Sequence, residues 1–353
     1  MSNAPSHAVH WPPILLAGGE RGTLVSEAGP ALLPFFSTRA ACALRLVCQE
    51  LRAAVREHPW EDTETVIHGS IAAWRECFPR ACCANVKCSV AQQGYSRRAS
   101  PVVDADFVHF EGLRELRMSG CTRVTDAAFA HLHGIHLLRM NGCDQDGITD
   151  AAFAHLRGIH MLEMSDCSQA GITDAAFVHL SGINQLHMAN CSQITDAAFE
   201  HLRGIRVLNM GGCSQEGITD AAFAHLRGIQ TLLMGDCNQA GITDAAFAHL
   251  RGIRSLDIRG CTGVTDAAFA HLRGIHSLDM NFCNQDGITD AAFAHLRGIQ
   301  VLHIVGCSPA ALTSSALAQL VGVKTLAVSD LGVHYAADAL DLPVTFYIEV
   351  EWQ

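Results

Sequence analysis

Three residue types recur in this chain at spacings that could do chemistry. Nine cysteines, Cys121, Cys143, Cys167, Cys191, Cys213, Cys237, Cys261, Cys283 and Cys307, fall at one position of a repeating unit. Nine histidines, from His109 to His295, fall at another, and an aspartate such as Asp150 or Asp220 falls at a third. A column of thiols is the raw material for a metal site or a disulfide framework, and a row of imidazoles for a metal site or a pH sensor. Each reading weakens on inspection. A single column offers no tetrahedral ligand set. The cysteines follow a strand pattern at a point where the chain turns inward, so a small buried thiol is the simpler expectation. The histidines lie two residues after an apolar Phe, about 200° round a helix, and are expected to be solvated copies on the outer side. The aspartates follow a Thr, as a helix N-cap and first-turn carboxylate do. A separate cluster, Cys77, Cys82, Cys83 and Cys88 with His68 nearby, has a C-x4-C-C-x4-C spacing that matches no strong zinc pattern. No phosphate loop, nucleophile elbow or paired carboxylates stand out, so no catalytic residue, metal or cofactor is expected.

The element that must position these residues is the repeat itself. The unit reads ITDAAFAHLRGIxxLxMxxC, with copies beginning at Val102, Val124, Ile148, Ile172, Ile194, Ile218, Ile242, Val264 and Ile288 and a degenerate tenth at Leu312. Successive lengths of 22, 24 and 24 residues recur three times, which makes 102–171, 172–241 and 242–311 three copies of one 70-residue block. In the copy at 218–241, Thr219 and Asp220 start a short helix, Phe223 and Leu226 share its inner face, and Gly228 ends it. Ile229, Leu232 and Met234 then point into a core from a short strand and its approach, with the residues between them facing out. One unit cannot bury its own apolar face, so the copies must stack, strand beside strand, in a parallel sheet.

The Leu-x-Met-x-x-Cys strand followed by an Ile-Thr-Asp helix start resembles the cysteine-containing leucine-rich repeats of F-box proteins, over about two-thirds of the chain. Those repeats run a few residues longer, so the helices here are expected to be short, about two turns. The resemblance implies an α/β leucine-rich-repeat solenoid at 102–330, with a curved parallel sheet inside and short helices outside. Ala81 to Ser89, with Ala84 and Val86 where Leu and Met later sit, reads as an aberrant first strand. Leu340 to Trp352 alternates apolar and polar residues and reads as a closing strand in a C-terminal cap, 331–353.

Residues 1–24 form an N-terminal extension, and 25–60 a helical module joined to the repeats by 61–101. Apolar residues at helical spacing through Leu44, Val47, Cys48 and Leu51 predict an amphipathic helix that Pro59 stops. This module resembles an F-box, on Leu33 and Phe36, then Leu44, Leu46 and Val47, then Leu51 and the closing Trp60. An F-box implies docking to the small adaptor that links it to a cullin, which would make the chain the substrate-recognition subunit of a ubiquitin ligase, with no bond chemistry of its own. The alternative is a non-catalytic scaffold, in which the module only caps the solenoid.

The helical side of the unit barely changes between copies, whereas one strand position reads Arg117, Arg139, Glu163, His187, Asn209, Leu233, Asp257, Asp279 and His303. Drift alone would also scramble the exposed helix positions, so this row is expected to bind a protein target on the concave face. Arg114, Arg117 and Arg139 near its start and Asp257 and Asp279 later suggest a charge gradient, which Arg254 and Arg259 interrupt. The net charge of −11 argues against nucleic acid as the partner. The absence of a signal-peptide pattern or a membrane-length apolar run predicts a cytoplasmic or nuclear protein with no membrane contact.

Overall fold

The computed structural model describes residues 32–86, 102–307, 313–320, 322–328 and 344–346. Residues 25–31, Cys88 and most of the C-terminal cap lie outside them.

One twelve-stranded parallel sheet runs in strict sequence order. Its strands are Cys83–Asn85 (β1), Glu115–Arg117 (β2), Leu137–Arg139 (β3), Met161–Glu163 (β4), Gln185–His187 (β5), Val207–Asn209 (β6), Thr231–Leu233 (β7), Ser255–Asp257 (β8), Ser277–Asp279 (β9), Val301–His303 (β10), Thr325–Val328 (β11) and Val344–Phe346 (β12). With short helices on its outer side, this is a leucine-rich-repeat solenoid. The aberrant first strand is present: Ala84 pairs with Leu116, and the Val86 N–H donates to the Arg117 carbonyl at 2.8 Å, as each later strand's Met or Ile does. At the far end β12 pairs with β11, so strand addition continues past the last repeat.

From Asp126 to Phe293 the α-helix of each repeat is a single turn of four residues. In the repeat at 148–171 a four-residue α-helix, Asp150–Phe153, passes into a single 3₁₀ turn, Ala154–Leu156. Helices this short do not stand alone in water, so packing must hold them. The Phe of each Asp-Ala-Ala-Phe supplies much of it. Phe107, Phe129, Phe153, Phe177, Phe199, Phe223, Phe247, Phe269 and Phe293 are all fully buried and are the largest side chains in the repeat core. The low aromatic content of the sequence conceals this, because nearly every repeat Phe is spent inside. Burying one such side chain contributes about 1.5–3 kcal/mol.

The link between repeats is made by the aspartate and threonine of the helix start. The Thr243 N–H donates to Oδ1 of Asp220 in the preceding repeat at 2.8 Å, and the Thr243 hydroxyl donates to Oδ2 at 2.7 Å. The same two-pronged clamp joins Asp104 to Thr125, Asp126 to Thr149, Asp150 to Thr173 and so on to Asp266 and Thr289, with hydroxyl distances of 2.5–2.7 Å. Each Thr hydroxyl in turn accepts from the backbone N–H two residues on, so the N-cap of one helix is fixed by the carboxylate of the helix before it.

The alternation of 22- and 24-residue units has a local cause. In the longer units the extra residues carry a Gln whose amide donates to preceding carbonyls, as Gln215 does to Cys191 and Ile194 at 3.1 and 2.9 Å. The glycine that follows, Gly241 for example, packs against the previous Thr. A Cβ there would sit 2.9 Å from the Thr219 methyl, while its carbonyl accepts the Asp220 N–H at 2.9 Å.

At least one helix is expected in the amino-terminal module, and the helical stripe read through Leu44 to Leu51 is broken within it. Two helices form, Thr38–Leu44 (α1) and Gln49–Glu57 (α2). The chain turns between them because Cys48 adopts an extended backbone and caps α2, its sulfur accepting from the Leu51 N–H at 3.4 Å. The module's core of Leu33, Ala41, Val55 and Trp60 runs on to Phe78 and Ala81. A third helix, Ile71–Cys77 (α3), docks it on the first repeat: Trp74 packs against both cores, and Arg75 donates to the Ala81 and Glu111 carbonyls at 2.9 and 2.5 Å.

If the Asp–Thr clamp carries the repeat-to-repeat coupling, Asp220→Ala lowers unfolding stability by about 1–2 kcal/mol. Thr243→Val loses a similar amount, and the double variant loses less than the sum. Urea denaturation of the four proteins checks this, and strict additivity would refute the coupling.

Candidate functional site

The sheet register brings the varying residues into one row. Arg117, Arg139, Glu163, His187, Asn209, Leu233, Asp257, Asp279 and His303 are successive cross-strand neighbours from β2 to β10. Because strand side chains alternate, these residues and those two positions before them share the sheet face away from the core. The central leucines between them are fully buried, whereas the row itself is half-exposed, apart from the buried Asp257.

That face carries two flanking columns of which sequence reasoning named only Arg259. One is the first residue of each strand, from Glu115 and Leu137 to Ser277 and Val301. The other follows the core Met or Ile, as Asn141, Arg259, Asn281 and Val305 do. Both were accessible from the alternation alone.

The flanking residues change the electrostatics. Arg117 donates to Glu115 at 2.9 Å, and Arg139 makes a 2.9 Å ion pair with Glu163 while lying 4.0 Å from Glu115. Asn141 also donates to Glu163, at 3.3 Å. At the other end Asp257 accepts from the Arg259 backbone N–H, Nε and Nη2 at 3.0, 3.1 and 2.6 Å, which raises the guanidinium pKa. Asp279 accepts from the Asn281 N–H and lies 3.4 Å from His303 Nδ1. The charge gradient read along the row is therefore largely neutralised within the face, and His187, Asn209 and Leu233 leave its middle uncharged. Phe282 stands out beside the C-terminal end. It is half-exposed and holds φ of 59°, at a position that Gly, Asn or Asp fills in the other repeats. A bulky residue rarely takes this left-handed conformation.

The repeat cysteines from Cys143 to Cys307 are buried free thiols. Each donates to the Met or Ile carbonyl of the preceding repeat, as Cys261 does to Met234 at 3.1 Å. Cys121 differs: it is disulfide-bonded, so the expectation of a free thiol fails at that position. Burial pushes the Cys143 and Cys213 thiols up to about 11 and those of Cys191 and Cys261 to about 12, which keeps them protonated and poor ligands. Among the described residues no group of three or more His, Cys, Asp or Glu side chains is placed to hold a metal ion. The repeat histidines lie on the outer side as expected, and seven of them, His131, His155, His179, His225, His249, His271 and His295, meet a side-chain partner. Arg157 Nε donates to His179 Nδ1 at 3.2 Å, and Arg203 to His225 and Arg273 to His295 follow the same rule. An arginine has only donors, so in each of these pairs the imidazole Nδ1 is the acceptor.

In the module, Leu33, Leu51 and Trp60 are core residues, with the Trp60 indole donating to the Val55 carbonyl at 2.8 Å. Phe36 and Leu44 pack at the edge of that core. Leu46 and Val47, which a single helix would have placed along one face, lie in the turn between α1 and α2 and are 82% and 66% exposed. Phe35 is 84% exposed and lines an open groove with Pro34, His58 and Glu61.

No protein-family model matches the chain, and no curated protein matches it. Solved structures do match its fold. In the Toll–Spatzle complex from Drosophila, glycosylated form, the likeness covers 73% of this chain and 38% of that one at 14% identity, with a TM-score of 0.54. In the TLR13–ssRNA13 complex it covers 77% of this chain and 40% of that one at 15% identity, with a TM-score of 0.57. The chain thus spans about two-fifths of the length of the proteins it resembles, and at these identities the likeness concerns the solenoid fold alone. Among the described residues no helix is long and apolar enough to cross a membrane.

The thiol column has a pH consequence. An unfolded thiol ionises near pH 8.5, and the folded chain holds the proton well above that. Its contribution to stability is complete below about pH 8.5 and is lost as pH rises toward 11, because the unfolded state sheds protons the folded state keeps. Melting temperature is expected to fall over that window, and less steeply in a Cys191→Ala/Cys213→Ala variant. Parallel slopes in differential scanning fluorimetry would count against this account.

Proposed function

We propose that this chain is the substrate-recognition subunit of a cullin-type ubiquitin ligase, holding a protein target on the concave face and the ligase adaptor on its amino-terminal module. The observation that carries the adaptor assignment is the exposure of Phe35, Leu46 and Val47 on a module whose Leu33, Ala41, Val55 and Trp60 are packed inside. Large apolar side chains left in water together on one small module mark a docking surface. Their positions belong to the F-box resemblance, which the burial of Leu33, Leu51 and Trp60 supports. The fold supports the target half of the reading. A rigid row of half-exposed, diverged side chains on a repeated scaffold is how solenoids present binding surfaces, and Toll and TLR13 are solved in complexes with Spatzle and ssRNA13 respectively. The exposed, left-handed Phe282 beside that face has a conformation that folding alone does little to explain. The contribution to catalysis is proximity: the solenoid holds the target near a charged ubiquitin carrier.

The test is a binding assay between the full chain and the purified adaptor of cullin ligases. Wild type is expected to bind, and Leu46→Ala/Val47→Ala to lose at least about tenfold in affinity with an unchanged melting temperature. No binding by wild type would remove the ligase assignment and leave an interaction scaffold.

A further inference from the structure

In six of the nine repeats the turn that joins the helix to the next strand reads His-Leu-Arg-Gly-Ile-x, and it carries a charge pattern unlike the rest of the molecule. From the fifth repeat to the ninth, at 201–206, 225–230, 249–254, 271–276 and 295–300, these turns hold Arg203, Arg206, Arg227, Arg251, Arg254, Arg273 and Arg297 and no Asp or Glu. All seven are exposed. Acidic residues lie elsewhere in the unit, at the helix start as at Asp220 and in some loops between Cys and the helix start, as at Glu216 and Asp286.

What separates this rim from the concave face is pairing. Arg117, Arg139 and Arg259 on the face each have a carboxylate partner within 4 Å. Among the described residues none of the seven rim arginines forms an ion pair. Arg203, Arg227, Arg251 and Arg273 lean instead on an imidazole of the next repeat, at 3.2–3.4 Å. An imidazole contact orders the guanidinium without supplying the negative charge that a carboxylate would. The Arg–His ladder therefore holds the cationic forks in line and leaves their remaining donors free. Successive repeats stand about 4.8 Å apart, so the five turns span roughly 20 Å, the reach of an extended peptide of about six residues.

We propose that this rim binds an extended acidic peptide segment, at a site separate from the concave face. Guanidinium forks fit carboxylates and phosphates alike, and two features favour the peptide. Single-stranded nucleic acid sites add aromatic platforms for the bases, and these turns contain no Phe, Tyr or Trp. The chain's net charge of −11 also opposes a long polyanion, whereas a short acidic segment senses only charges within about a Debye length, roughly 8 Å in physiological salt.

The probe is a fluorescein-labelled octaglutamate, measured by anisotropy with the full chain. Wild type is expected to bind at low salt and to weaken steeply between roughly 50 and 300 mM salt. Arg203→Gln/Arg206→Gln/Arg251→Gln/Arg254→Gln is expected to weaken binding at least about tenfold. The milder Arg206→Gln/Arg254→Gln, which removes two charges that make no side-chain hydrogen bond among the described residues, is expected to weaken it by roughly threefold with no change in melting temperature. Arg117→Gln/Arg139→Gln on the concave face is expected to leave it unchanged. The proposal fails if wild type does not bind octaglutamate, if the milder rim variant folds and binds as wild type does, or if the concave variant loses as much as the rim variants. A labelled octauridylate that binds wild type more tightly than octaglutamate would also overturn it, in favour of nucleic acid.

Discussion

The carboxylate of each helix start is shared between two repeats, and the rest of the solenoid hangs on that sharing. Asp220 begins its own helix and, through both oxygens, holds the backbone and hydroxyl of Thr243 in the next repeat. The hydroxyl so held accepts the first free N–H of the following helix. A four-residue helix has little hydrogen bonding of its own to lose, so its position is set almost wholly by what grips its ends. Once the helix starts are in step, the Phe column closes beneath them and the strands fall into a register without a slip from β1 to β12. The Cys column adds a second tie, from thiol to the Met or Ile carbonyl of the repeat before. These links are nearest-neighbour, so a block of three repeats can be copied whole and still fit its own copy.

This explains which features were legible in the sequence. The inward positions are written in residue type and spacing, so Phe223, Leu226, Leu232 and Met234 could be placed in the core from one repeat alone, and Ala84 and Val86 could be aligned with them despite the loss of the motif. The clamp could not. Within one repeat Asp220 reads as a helix-start residue, and only stacking shows that its carboxylate reaches 23 residues forward. Gly241 is similar: its need for a missing Cβ comes from Thr219 at the other end of the same unit, which only the coiling of the chain brings against it. In the module, helical periodicity ran straight through Leu44 to Leu51 because an N-cap cysteine is an uncommon signal. The structure spends Cys48 there and turns the chain, exposing the two residues that a continuous helix would have placed along one face.

The concave face was legible as a row but not as an electrostatic object. Its residues were read one column at a time, and charge cancels between columns: Glu115 and Glu163 answer Arg117 and Arg139, and Arg259 answers Asp257. A face whose charges are already paired offers a partner shape, hydrogen bonds and the uncharged stretch of His187, Asn209 and Leu233, more than a net field. Specificity there would come from which pairs a target can replace without leaving a half-buried charge unmatched.

The outer rim obeys the opposite rule. Its sequence is nearly constant, and constancy by duplication alone would need no explanation. Duplication does not, however, explain why a chain with more acidic than basic residues keeps Asp and Glu out of five consecutive turns while placing seven arginines there. Nor does folding pair those arginines with a counter-charge, since their ordered contacts are with imidazoles or, for Arg297, with the Gln319 side-chain oxygen. Charges that the fold pairs are accounted for by the fold. Charges that it orders and leaves unpaired, at a fixed step along a rigid edge, ask for a counter-charge from outside the chain.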